Sequence, residues 1–238
     1  MPTFTGLLVR GPFQDYGFLK ALEAGKREAF TCQLFEKCLR QDSNFLDIGA
    51  HLGQYTLLAS QTISSSGTIH AFEPHPRSFS YLKKNVEKNI VDNKHIFLHQ
   101  QAVMNQRGHA DLNIDMIQSD FTSFSTIRNP RHCKKVSVET IKLDRKIAPD
   151  VIKIDVEGCE MQVLEGCASA IDSSRSQNKL IHLFIEFNIN NNLSTIEFSN
   201  VLGKYGFSKL NIIDDDGKKL IPLNKNRNID RNLKLICQ

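Results

Sequence analysis

The chain has 238 residues, 40% of them hydrophobic and 24% charged, which suits one globular domain with a full core and room for an N-terminal appendage. Thirty basic against 26 acidic residues leave a formal net charge of +4, too mild a balance to argue for a nucleic-acid surface. No apolar run approaches the about 20 residues of a membrane span, and the start does not read as a signal peptide.

Six cysteines (Cys32, Cys38, Cys133, Cys159, Cys167, Cys237) show no C-x-x-C spacing. They read as reduced, mostly buried thiols, and a cytoplasmic location is the expectation. The basic run Arg128 to Lys135 reads as a solvated loop, suited at most to help hold an acidic substrate.

Residues Met1 to about Gly25 lack clean periodicity and are punctuated by Gly6, Gly11, Pro12 and Gly17, which predicts loops, short strands or a lid. Glu28 to Leu39 reads as an amphipathic helix, with Phe30, Leu34, Phe35, Cys38 and Leu39 on one face. A strand at Asn44 to Ile48 and a helix at Gln54 to Thr62 form the first β–α unit. A second strand, Thr68 to Phe72, ends in Glu73-Pro74 and leads to a helix over Arg77 to Asn89. Ile96 to Val103 reads as a third strand. Residues 108 to 143 break the α/β rhythm with two alternating runs around a loop bearing Phe121, Phe124 and Asn129-Pro130, a candidate substrate-facing flap. Val151 to Val156 and Leu180 to Phe187 read as buried strands separated by a helix at Met161 to Ala170. A helix at Thr195 to Tyr205 and strands at Phe207 to Ile213 and Leu233 to Cys237 close the chain. Alternating β and α with a closing antiparallel pair predicts a mostly parallel sheet covered on both faces.

Two stretches carry chemistry. In FLDIGAHLGQ, residues 45 to 54, an apolar strand end runs into a turn of Gly49, Ala50 and Gly53, and then into a helix. A dinucleotide loop reads G-x-G-x-x-G so that backbone nearly touches a pyrophosphate. Here His51 stands where the second glycine would be, and Asp47 brings negative charge to the turn. That suits a ligand with an ammonium group and no phosphate, such as S-adenosylmethionine; a plain strand-to-helix turn is the simpler alternative. Glu73 lies 20 residues after Gly53, at the end of the second strand, where a carboxylate can accept hydrogen bonds from a ribose diol. The second stretch, KIDVEGCE, crowds Lys153, Asp155, Glu157 and Glu160 at the end of an apolar strand. Lys153 and Asp155, two apart, point to one face, and burying them is costly unless they pair or serve a site. A structural ion pair followed by a helix start is the alternative for this stretch.

FLDIGAHLGQYT, AFEP, VETIKLD, IKIDVEGCEMQVLEG and LFIEF, in that order, resemble the FkbM family of S-adenosylmethionine-dependent methyltransferases over roughly Phe30 to Phe207. The resemblance implies a Rossmann-like class I methyltransferase fold: a seven-stranded, mostly parallel α/β sheet with helices on both faces and an antiparallel closing strand. It divides the chain into residues 1–40, an N-terminal appendage and helix, and 41–238, the methyltransferase domain with a β insertion at about 108–143. By position it implies cofactor contacts from Asp47, Gly49, Ala50, His51, Gly53, Glu73 and Pro74, with Gln101 and Ala102 near the adenine. The common family form has asparagine in place of His51.

O-methylation of a hydroxyl on a sugar, glycan or secondary metabolite is the expected reaction. A hydroxyl must lose a proton in methyl transfer, and Asp155 is the first candidate base, with Glu157, Glu186 and the orienting Lys153 beside it. His51 and His75 titrate nearer neutrality but suit packing or cofactor contact better. A divalent metal on Asp155, Glu186 and Asn188 is a weaker alternative, since hard cations take such oxygens. An RNA or protein methyltransferase and a non-catalytic binding module on the same fold are the rival functions. DVEG stands where a base methyltransferase would carry an Asn/Asp-Pro-Pro-aromatic turn.

Overall fold

The computed structural model describes residues 6–90, 95–115, 122–124, 132–187, 194–223 and 233–238. The N-terminal stretch, expected to be irregular, forms a 3-10 turn at Phe13–Asp15 and a helix, α1, at Tyr16–Glu23. Gly17 is tolerated there because it lies on the exposed side of the helix start. Helix α2 follows at Ala29–Cys38, entered through Glu28 in the left-handed region (φ 51°). Next come β1 (Asn44–Ile48), α3 (Gln54–Ser60), β2 (Thr68–Phe72), α4 (Pro76–Asn89) and β3 (Ile96–His99).

The run expected as one strand from Ile96 to Val103 is broken at Gln100-Gln101. Its end, β4 (Ala102–Val103), joins a second sheet with β5 (Gly108–Asp115), β6 (Thr122–Ser123) and β7 (Cys133–Ile141). In that sheet β5 and β7 pair antiparallel, with Leu112 and Val138 turned inward. Phe121, Asn129 and Pro130, the expected loop tip, lie outside the described residues.

The chain returns to the main sheet with β8 (Val151–Ile154), α5 (Glu160–Ser176), β9 (His182–Phe187), α6 (Thr195–Lys204), β10 (Leu210–Asp214), β11 (Lys219–Pro222) and β12 (Leu233–Cys237). The sheet order is β11-β10-β12-β9-β8-β1-β2-β3. From β3 to β9 all neighbours are parallel; β12 runs antiparallel between β9 and β10. Among the described residues the sheet thus has eight strands where seven were expected. The extra one, β11, turns back from the DDDG bend to pair antiparallel with β10. It has four residues and ends on Pro222, so its own sequence signal is faint.

Side chains alternate across this sheet as the two-residue period requires. Leu46, Ile48, Ile152 and Ile154 pack toward α5 and α6, whereas Phe45, Val151 and Phe184 pack toward α2 and α3. Phe35 of α2 meets Phe45, Tyr55 and Phe184 edge-on at 4.9–5.7 Å between ring centres, so the helix before residue 41 packs into the same core as the sheet. Among the described residues no helix is long and apolar enough to cross a membrane.

Candidate active site

A cleft opens at the carboxyl ends of β1, β2, β8 and β9, where ligands of open α/β sheets bind. Among the described residues, six carboxylates line it (Glu28, Asp47, Glu73, Asp155, Glu157, Glu186) against the cations Arg27 and Lys153. Such an imbalance favours a ligand carrying positive charge and disfavours a pyrophosphate.

The turn after β1 is built around backbone torsions that a Cβ resists. Gly49 has φ +82°, and a Cβ there would stand 1.9 Å from the carbonyl oxygen of Asp155, so the end of β8 closes directly on the turn. The N–H groups of Gly49 and Ala50 both donate to the Phe72 carbonyl, at 2.9 and 3.0 Å, tying the turn to the end of β2. His51 also has a positive φ, 51°, a region in which histidine and asparagine are enriched among non-glycine residues. That accounts physically for a histidine in place of the asparagine common in the resembled motif. Its ring meets Phe18 edge-on at 5.1 Å, and its Nε2 lies 3.4 Å from the buried Asp15 carboxylate.

Glu73 is buried and held in place by backbone. Its Oε2 accepts from the His51 N–H and its Oε1 from the His75 N–H, both at 2.8 Å. Each oxygen keeps lone-pair capacity for a hydroxyl. Burial raises the Glu73 carboxyl above its ordinary range, offset by His51 and the two N–H groups. Asp47 is also buried and accepts from Thr56 Oγ1 at 2.6 Å; burial pushes it up to about 6 although Lys153 and Thr56 oppose the shift.

Asp47 and Lys153 are register partners across β1 and β8. The Lys153 ammonium lies 2.7 Å from Asp155 and 4.5 Å from the centre of the Tyr55 ring. Burial works against its charge, but Asp155, Glu28 and Asp47 outweigh that and hold Lys153 above its ordinary value. Glu28 accepts from Tyr55 Oη at 2.6 Å and from Lys234 Nζ at 2.8 Å. Burial opposes its ionisation, yet Lys153, Lys234 and Arg27 together hold it below its ordinary value. Glu186 goes the other way: burial first, then Asp155, push it up to about 7.

Carboxylate oxygens of Glu28, Asp155 and Glu186 lie within 4.8 Å of one another. Two of these three belong to the metal set expected from sequence; Asn188 lies outside the described residues. The ammonium groups of Lys153 and Lys234, at 2.7 and 2.8 Å from Asp155 and Glu28, already stand as the counter-ions of this cluster. Three carboxylate oxygens are donors that a hard cation takes, and the two ammonium groups would compete with it for the same oxygens.

Of the residues singled out from sequence, Asp47, Gly49, Ala50, His51, Glu73, Pro74, Lys153, Asp155, Glu157 and Glu186 line the cleft. Gly53 does not; with φ +93° it caps α3 and packs toward Leu82. Gln101 and Ala102 also lie off the lining, Ala102 being buried where β4 pairs with Thr140 of β7. His75 is a helix cap whose Nδ1 accepts from the Arg77 N–H at 3.0 Å, and burial lowers it to about 4. Sequence reasoning missed Phe18, Arg27, Glu28, Tyr55 and Leu112 as lining residues. The acid and base immediately before α2 are the signal that was available. Phe124, on the expected flap, does line the cleft.

The order of the main sheet, its antiparallel β12, and an acid-lined cleft with a backbone-clamped acid after β2 define the fold used by S-adenosylmethionine-dependent methyltransferases. The methyltransferase FkbM domain matches residues 47–208, and the chain belongs to that family. It is similar to a hexuronic acid methyltransferase, AglP, of Haloferax volcanii, 23% identical over 56% of this chain and 53% of that protein. It is also similar to a protein called Methyltransferase 1 of Beauveria bassiana, 27% identical over 59% of this chain and 65% of the relative. The chain therefore spans less than two thirds of either relative's length. A solved FkbM methyltransferase from Methylobacillus flagellatus superposes with a TM-score of 0.54 at 16% identity, covering 84% of this chain and 44% of that one.

Proposed function

We propose that this protein transfers a methyl group from S-adenosylmethionine to a sugar hydroxyl. The observation that carries the reading is Glu73, fixed by two backbone N–H groups on the same acid-lined cleft as the Lys153–Asp155 pair. Glu73 would receive the ribose hydroxyls, and the Gly49–Ala50 turn would admit the cofactor close to backbone. Asp47 and the neighbouring acids would face its positive charge. When bound, the cofactor supplies a methyl group on a sulfonium; the protein supplies position and a dry site.

The acceptor hydroxyl must lose a proton, and Asp155 with Glu186 forms the proton-holding pair. Lys153 fixes the Asp155 carboxylate in direction, and Glu186, pushed up to about 7 by burial and by Asp155, can hold a proton near neutral pH. A sugar is favoured as acceptor by the hexuronic acid methyltransferase similarity and by Phe18, Phe124 and several carboxylates on one cleft, a lining suited to a hydroxylated ring.

The test is labelled methyl transfer to a panel of sugars and uronic acids, with calorimetric titration of S-adenosylhomocysteine alongside. The expected result is label on oxygen, and an Asp155→Asn protein whose turnover falls by about 10²-fold or more while cofactor affinity changes little. Cofactor binding without turnover on any acceptor would turn the assignment toward a binding module. No binding at all would remove the cofactor from the account.

A further inference from the structure

Arg27 stands in a place that the methyl-transfer chemistry leaves unused. It lies in the link between α1 and α2, and that link is rigidly seated. The N–H groups of Lys26 and Arg27 both donate to the Ala21 carbonyl, at 2.9 and 3.2 Å, and Gly25 takes a positive φ of 63° to make the bend. The guanidinium lies 4.4 Å from the centre of the Phe18 ring, and Phe18 in turn meets His51 of the β1 turn. So a cation is set on an aromatic face beside the predicted cofactor loop, and it lines the cleft.

Its hydrogen bonding is incomplete. Among the described residues Arg27 Nε is buried with no partner. The nearest acid, Glu28, is 3.8 Å from Nη2 and already accepts from Tyr55 and Lys234 at 2.6 and 2.8 Å. An arginine stays charged at every accessible pH, so it cannot relieve a missing acceptor by losing its proton. Nε itself is closed to solvent, so a ligand would meet the Nη end of a side chain that is one-third exposed, and two parallel bonds from that end suit a planar carboxylate best.

We infer that Arg27, backed by Phe18, is a carboxylate-binding residue of the cleft. The inference rests on the methyl-transfer reading, which brings two carboxylates there: that of the cofactor's amino-acid end and that of an acidic sugar acceptor. A lysine would supply charge without the paired geometry, so Arg27→Lys should keep only part of the effect and Arg27→Gln none of it.

The experiment uses the full chain as wild type, Arg27→Lys and Arg27→Gln. Calorimetry measures Kd for S-adenosylhomocysteine and for its decarboxylated analogue. Methyl transfer is measured to methyl glucuronide and to neutral methyl glucoside. If Arg27 holds the cofactor, Arg27→Gln weakens S-adenosylhomocysteine by roughly 10- to 100-fold and leaves the decarboxylated analogue within about twofold. The unchanged analogue also reports that the variant is folded. If Arg27 holds the acceptor, both cofactor affinities stay put and KM rises by a similar factor for the glucuronide alone. Equal behaviour of wild type and Arg27→Gln in all four measurements overturns the inference while the methyl-transfer reading stands. A wild type that binds neither cofactor analogue overturns both.

Discussion

Glu186 is pulled in opposite directions. Burial and the neighbouring Asp155 carboxylate favour its neutral form, while Lys234 and Lys153 favour the charged one, and the first pair wins, raising it from 4.5 to about 7. An acid raised on folding costs stability once it must ionise. The unfolded chain ionises it freely above about 4.5, whereas the folded chain resists until about 7. Its contribution is therefore fully present below the lower value and is lost as pH rises through the upper one. Asp47, raised to about 6 chiefly by burial, acts with the same sign. Glu186→Gln should consequently melt about 2–6 °C higher than wild type at pH 8 and at the same temperature near pH 4, read by differential scanning fluorimetry at both values. A gain of equal size at both pH values would mean that repacking, not charge, explains it.

At the scale of elements, the β1–turn–α3 unit is held by contact between its bend and the end of β8. A Cβ at Gly49 would reach 1.9 Å from backbone at Asp155, and backbone cannot swing aside as a flexible side chain can. Gly49→Ala should cost roughly 2–4 kcal/mol in urea unfolding and weaken S-adenosylhomocysteine at least about tenfold. Gly17→Ala is the contrasting variant. Nothing lies within 4 Å of its Cβ, and alanine favours the helix, so a gain of up to about 1 kcal/mol is expected there. The strands β1, β2 and β12 and the start of α3 were legible from period and punctuation alone. Helix α1 was not, because Gly11, Pro12 and Gly17 imitate loop chemistry, and the helix is stabilised by burying Leu19 and Leu22 beside Leu52 and Leu82. Strand β11 escaped notice for a related reason: its four residues become a strand by pairing with β10.

Across the whole molecule, the N-terminal wall of the cleft is tied to the far end of the chain. Asp215 accepts from both the N–H and the hydroxyl of Thr31, each at 2.9 Å, and Lys234 bridges Glu28 and Asp215 at 2.8 and 3.4 Å. Asp215 thereby caps α2 from the β10–β11 bend, a favourable place for an acid. Asp215→Ala should lower stability by about 1–2 kcal/mol and loosen the segment that carries Arg27 and Glu28, weakening cofactor affinity with it. The exposed neighbour Asp216 makes the control: Asp216→Ala should change neither melting temperature nor Kd.

Local chemistry explains what could be read along the chain. Alternation and glycine turns act over a few residues, so the α/β rhythm, the carboxylate after β2 and the Lys153–Asp155 pairing were all apparent without coordinates. Which charges gather was decided by the fold. Glu28 and Lys234 are 206 residues apart in sequence and touch because β12 inserts antiparallel beside β9, which sets Lys234 opposite Glu186 and within reach of Glu28 at the start of α2. The same long-range closure gave the cleft its Phe18–Arg27 wall and left Gln101 and Ala102 off its lining. No spacing rule encodes such contacts, because they depend on the summed packing of the sheet and its two helical faces.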